Sequence, residues 1–174
     1  MNLGSPSNAG VAVTDGEGVG TITNDDSATL YINNVTAVEG DSSSSNFVFN
    51  VTLTGTVPGG FTVPFSTNDG TASEGSDYTN SSGDIVFTGS NNEIQSITIE
   101  VTGDSILETD ETFTVALSTP SNPAVTFTND QGLATINNDD SVTLSINDVT
   151  EDEGNSGNSV FQFSVLLTGQ VQDG

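Results

Sequence analysis

Apolar and polar residues alternate through most of this chain. Phe47, Phe49, Val51 and Leu53 are separated by Val48, Asn50 and Thr52. The same rhythm runs through Phe61, Val63 and Phe65, through Ile97, Ile99 and Val101, and through Phe113, Val115 and Leu117. Shorter pieces are Leu30/Ile32, Ile85/Phe87, Val125/Phe127 and Ala134/Ile136. A period of two places every second side chain on one face, which predicts strands with one buried side. No stretch of ten residues carries a helical stripe, and the abundance of Thr and Val suits strands. Glu39-Gly40-Asp41, Pro58-Gly59-Gly60, Asn68-Asp69-Gly70, Ser82-Gly83-Asp84 and Asn129-Asp130-Gln131-Gly132 supply turn chemistry between them. About seven such strands predict an all-β, immunoglobulin-like antiparallel sandwich of two sheets. Pro64 falls inside a strand pattern and predicts an edge or a bulge there.

The pattern also repeats. Asn24-Asp25-Asp26-Ser27 returns as Asn138-Asp139-Asp140-Ser141, and Leu53-Thr54-Gly55 as Leu167-Thr168-Gly169. Every pair lies 114 residues apart, so residues 1–60 match residues 115–174, with about half the positions identical. That period is the size of a whole small domain, not of a solenoid unit. The sequence therefore predicts a complete repeat at 27–140. It is preceded by the closing strands of another (1–26) and followed by the opening strands of a third (141–174). The end pieces are expected to pair with adjacent repeats or with copies of the chain, head to tail.

Composition removes several functions. The chain has no Lys, Arg or His against 24 Asp plus Glu, a net charge of −24. Without cations it cannot displace counterions from nucleic-acid phosphates or be drawn to an anionic membrane. No apolar run reaches about 18 residues, so no membrane insertion is expected. The missing His, Cys and Lys remove the commonest catalytic bases, thiol nucleophiles and Schiff-base amines, so the reading is non-enzymatic.

The acids are unevenly placed. Most of those between 27 and 140 sit in connections: Glu39 and Asp41; Asp69, Glu74 and Asp77; Asp104, Glu108, Asp110 and Glu111; Asp139 and Asp140. In an up-and-down sandwich these connections share one tip. Gathered carboxylates repel unless protonated or bridged, and a hard cation with oxygen ligands resolves this. Ca2+ accepts about 6–8 oxygens in the flexible geometry that loops supply, whereas Mg2+ demands a stricter octahedron. No zinc or copper ligand set is present.

Asp69-Gly70-Thr71-Ala72, Gly75 and Asp77-Tyr78 resemble the D-G-T-A-x-x-G-x-D-Y hallmark of Calx-beta domains. The acidic stretch Asp104 to Glu108, the strand Glu111-Thr112-Phe113-Thr114-Val115-Ala116-Leu117 and the closing Ala134-Thr135-Ile136 with Asn138-Asp139-Asp140 resemble that family in the same order. The resemblance implies a sandwich that binds Ca2+ at one tip. It implies Glu39, Asp77, Asp104, Glu108, Glu111, Asp139 and Asp140 as ligands, with the Ile106 carbonyl beside them. Calcium-rich relatives carry two acids where this chain has Gly103-Asp104, which implies fewer ions or weaker binding. Asp110 reads as solvated, and Asp69, Glu74, Asp84, Glu93 and Asp130 as surface turn residues.

The expectation is a calcium-binding structural module of a secreted, extracellular repeat protein, an adhesin or matrix fibre. A matrix or cell-surface ligand is its expected outside partner. The alternative is a Ca2+-sensing domain of a membrane transporter or receptor. A glycan-binding module is a third reading, but Tyr31 and Tyr78 are the only Tyr and there is no Trp to build an aromatic platform.

Overall fold

A computed structural model describes residues 1–23 and 25–172. Asn24, Asp173 and Gly174, which belong to the two expected end pieces, lie outside the described residues. The described chain is all-β. One sheet orders β6 (Ile94–Gly103), β3 (Ser43–Thr54), β1 (Ala28–Ile32) and β9 (Val125–Asn129). The facing sheet orders β2 (Val35–Val38), β10 (Gln131–Asn137), β8 (Glu111–Leu117), β4 (Phe61–Asp69) and β5 (Ser82–Phe87). β7 (Ile106–Leu107) lies in the acidic stretch between β6 and β8.

The sandwich thus has nine strands among the described residues, not seven, and it is not wholly antiparallel. β1 pairs parallel with β9, and β2 pairs parallel with β10. Both departures come from Asn33 and Asn34. The Asn33 side chain accepts from Asn50 N at 2.6 Å, and that of Asn34 accepts from Leu133 N at 2.9 Å. Side-chain oxygens replace ladder carbonyls on both sheets, so the chain leaves β1 and crosses to become β2. The apolar parity records the crossing: Leu30 and Ile32 are buried, then Val35 and Ala37 face the core.

Core packing follows the alternation. Phe47 and Phe49 both meet Phe113 with ring centroids 6.3 Å apart, and Tyr78 stacks on Phe113 at 4.2 Å. Each fully buried side chain of this size contributes about 1.5–3 kcal/mol. Pro64 lies opposite Ser118, just past the Phe65–Leu117 end of the β4–β8 ladder: its carbonyl accepts from Ser118 N at 2.8 Å, and the reciprocal bond is the one a proline cannot donate. Asp84 belongs to β5, opposite Pro64, and is not part of the turn.

The end pieces have their own pairings. β11 (Thr143–Ile146) pairs antiparallel with β12 (Val165–Thr168), and β13 (Gln170–Val171) runs parallel to β7. Among the described residues no helix is long and apolar enough to cross a membrane.

Candidate metal centre

The register sets the site. β2 and β10 run side by side until Val38 meets Asn137, so Glu39 and the Asp139-Asp140 segment leave the sheet together. Gly40 N donates to Asp139 Oδ1 at 3.1 Å, and the Glu39 carbonyl accepts from Ser45 Oγ at 2.6 Å. Gly103 closes the turn from the other side. A Cβ there would lie 2.6 Å from Ser43 O and 2.8 Å from Glu39 O. The space a side chain at this position would need is therefore filled by neighbouring backbone.

The D-G-T-A stretch holds the second loop. Thr71 Oγ1 accepts from Thr112 N at 2.8 Å, Ala72 N donates to Thr112 O at 2.9 Å, and Ala72 is buried. Asp69, expected as a surface turn residue, accepts from the buried Tyr78 hydroxyl at 2.6 Å. Burial and this bond push the Tyr78 phenol up to about 12. Asp77 uses one oxygen to cap Ser73 N at 2.7 Å, and its carbonyl accepts from Thr102 N.

Six of the seven expected ligands form two groups. Carboxylate oxygens of Glu39, Asp139 and Asp140 lie within 4.8 Å of one another, and so do those of Asp77, Glu108 and Glu111. Two oxygens held at about 2.3–2.6 Å from one ion are no more than ~5 Å apart, so each group has the spacing of a Ca2+ shell. Asp104 belongs to neither group and spends Oδ1 on Ile106 N at 2.7 Å. It still raises the proton affinity of Glu39, Glu108 and Asp140, so its charge acts on members of both groups.

These carboxylates are strained by each other's company. Glu39 is 3% exposed and Glu111 8%. Burial, then repulsion by Glu108, Asp104, Asp140 and Asp139, pushes the Glu39 carboxyl up to about 7. Burial, then Asp77, does the same for Glu111. Glu108 and Asp140 are raised for the same two reasons. Glu39 Oε1, Glu111 Oε2 and Asp140 Oδ2 are buried with no hydrogen-bond partner. Buried polar atoms ordinarily have one, and this chain has no Lys, Arg or His to supply it. An all-oxygen, anionic donor set with three unpartnered buried oxygens fits a hard divalent cation.

Two residues escaped the sequence reading. Asn138 Oδ1 accepts from Glu108 N at 2.9 Å, and its amide donates to Asp140 O, so it ties the two groups together. Its recurrence as Asn24 was the available signal. Asp110, expected to be solvated, accepts from Asn138 N at 3.2 Å. The other is Gln172, just past the end of β13: its N donates to Leu107 O at 3.1 Å. Glu93 is also more than a surface residue. It accepts from Thr88, Gly89 and Ser90 N, and these bonds hold it down at about 2.

Comparison with known proteins follows the same lines. The family model for the Calx-beta domain matches residues 23–142. The apo-form Calx CBD1 domain is 28% identical, with TM-score 0.57, over 65% of this chain and 98% of that one. The CBD12 structure from CALX1.2 is also 28% identical, with TM-score 0.56, over 64% of this chain and 46% of that longer one. The calcium binding domain CBD12 of CALX1.1 shares the fold at 20% identity, with TM-score 0.56, over 80% of this chain and 71% of that one. No curated protein matches.

Proposed function

The chain belongs to the Calx-beta family, and we propose that it is a non-enzymatic calcium-binding structural module of an extracellular repeat protein, an adhesin or matrix fibre. Calcium held by Glu39, Asp139 and Asp140 and by Asp77, Glu108 and Glu111 would join the loops of one tip to the segment leading into the next repeat. The observation that carries this reading is the set of three buried carboxylate oxygens without partners in a chain without a cationic side chain. When bound, the ion supplies charge neutralisation and nothing chemical. The residues do the rest: Asn138 fixes the two groups relative to each other, and Gly40 N orients Asp139.

A second reading, a Ca2+-sensing domain of a membrane transporter or receptor, draws support from the 28% identity to the Calx CBD1 and CBD12 structures. Affinity separates the two. Calorimetric titration of the chelator-stripped chain should give a dissociation constant of roughly 10⁻⁴–10⁻³ M for an extracellular module and roughly 10⁻⁷–10⁻⁵ M for a sensor. No calcium heat, after confirmed removal of metal, would refute both.

A further inference from the structure

Tension along this chain meets the complete sandwich at its two terminal strands. It enters through Ser27 into β1 and leaves through Asn138 after β10. At the entry, Thr29 opposes Thr54, the last residue of β3. At the exit, Asn137 lies beside Val38, and the Glu39 carbonyl sits against Gly103, the partner of Ser43 at the other end of β3. β3 is 12 residues long, so entry and exit are about 40 Å apart at ~3.3 Å per residue.

The strands that take up the two ends lie side by side and run the same way. β1 is parallel to β9, and β2 to β10. Pulling β1 back by its start and β10 forward by its end therefore slides these pairs past each other. Ladder hydrogen bonds cross the gap between strands, so sliding strains all of them at once, whereas opening a hairpin from one end breaks them in turn. Side chains extend the seam beyond the ladders. Thr128 Oγ1 donates to Leu30 O at 3.1 Å and Asn129 Nδ2 to Ile32 O at 2.7 Å. Leu133 N donates to Asn34 Oδ1 at 2.9 Å where the chain changes sheets. Past the last ladder pair, Glu39 N donates to Asn137 O at 3.3 Å and Gly40 N to Asp139 Oδ1 at 3.1 Å. β2 is an edge strand held to its sheet by β10, so load reaching β2 passes through this seam.

We propose that the complete repeat is a load-bearing clamp, in which tension along the chain is resisted by shear of β1 and β2 against β9 and β10. The clamp follows from strand direction and needs no ion. A second element rests on the calcium reading: an ion on Glu39, Asp139 and Asp140 fastens the end of β2 to the chain leaving β10, and so pins the seam where it is loaded. Forced unfolding is set by the unfolding rate and not by equilibrium stability, so clamp strength and melting temperature are separable.

The chain has no cysteine of its own, so single-molecule pulling can be aimed. In chelator, the full chain held at Ser27→Cys and Ser141→Cys should rupture at a force several-fold higher than when held at Ser27→Cys and Thr56→Cys, where both handles lie at the entry end. Thr128→Val with Asn129→Ala should lower the first force. Glu93→Gln, off the seam, should lower the melt and leave that force unchanged. Calcium should raise the first force, and Glu39→Gln should lose the rise. Equal forces in the two directions would overturn the clamp, as would forces that track the melt in both variants. Calcium heat by calorimetry with no rise in force would overturn the pin. No heat at all would refute the calcium reading, while the clamp is decided by the two directions of pulling in chelator.

Discussion

Replacing Glu39 by Gln should stabilise the metal-free protein and weaken its response to calcium. Glu39 is buried, one of its oxygens has no partner, and its carboxyl is pushed from an ordinary 4.5 up to about 7. The folded state therefore holds this proton more tightly than the unfolded state does. Stability is fully present below pH ~4.5, falls as pH rises through the window to about 7, and stays low above it. At about 1.4 kcal/mol per pH unit, the charged side chain costs the metal-free domain about 3 kcal/mol at pH 8. Glutamine keeps the shape, removes the charge and offers an amide to the surrounding carboxylates. For a sandwich of this size the gain corresponds to a melting temperature higher by on the order of 10 °C. With calcium the ranking should close or invert. The wild type gains about 2.7 kcal/mol when calcium is at roughly 100 times its dissociation constant, and the variant, short of one anionic ligand, gains less. Scanning calorimetry at pH 5 and pH 8, with chelator and with calcium, measures all four terms. A metal-free variant that melts at or below the wild type at pH 8, or gains equally at both pH values, would refute the reasoning.

Other substitutions divide ligands from scaffold. Asp77→Asn and Glu108→Gln should each weaken calcium binding about tenfold or more by calorimetry, while Asp84→Asn, in β5, should leave it unchanged. Glu93→Gln should lower the melting temperature without altering calcium affinity, because its bonds close the turn between β5 and β6. Tyr78→Phe should cost about 1–2 kcal/mol in denaturant melts by removing the bond to Asp69. Gly103→Asp should destabilise by about 2 kcal/mol or more and add no ion, since neighbouring backbone occupies the space its Cβ needs.

The strands were legible because alternation and burial are the same fact viewed from chain and from core. Phe47 to Leu53 and Phe113 to Leu117 read directly onto β3 and β8. The crossing at Asn33-Asn34 was not legible, because it depends on side-chain oxygens meeting amides of Asn50 and Leu133, far off in sequence. The gathering of acids at one tip followed from which connections carried them. Their division into two groups did not. It depends on how far each loop reaches, and Asp104 falls in neither group. Asp69 looked like turn chemistry, and its bond to Tyr78 needed the tertiary fold that stacks Tyr78 on Phe113.

The strand β13 rests on the acidic loop from outside the sandwich that bears it. The Gln172 backbone N–H satisfies the Leu107 carbonyl. A boundary drawn at residue 140, where the sequence period invites one, would strip that loop of its outer neighbour and leave it looser than it stands here. Calcium affinity measured on such an excised piece would fall short of the value in the longer chain. The shortfall would measure how far the grip of one unit is set by the presence of the next.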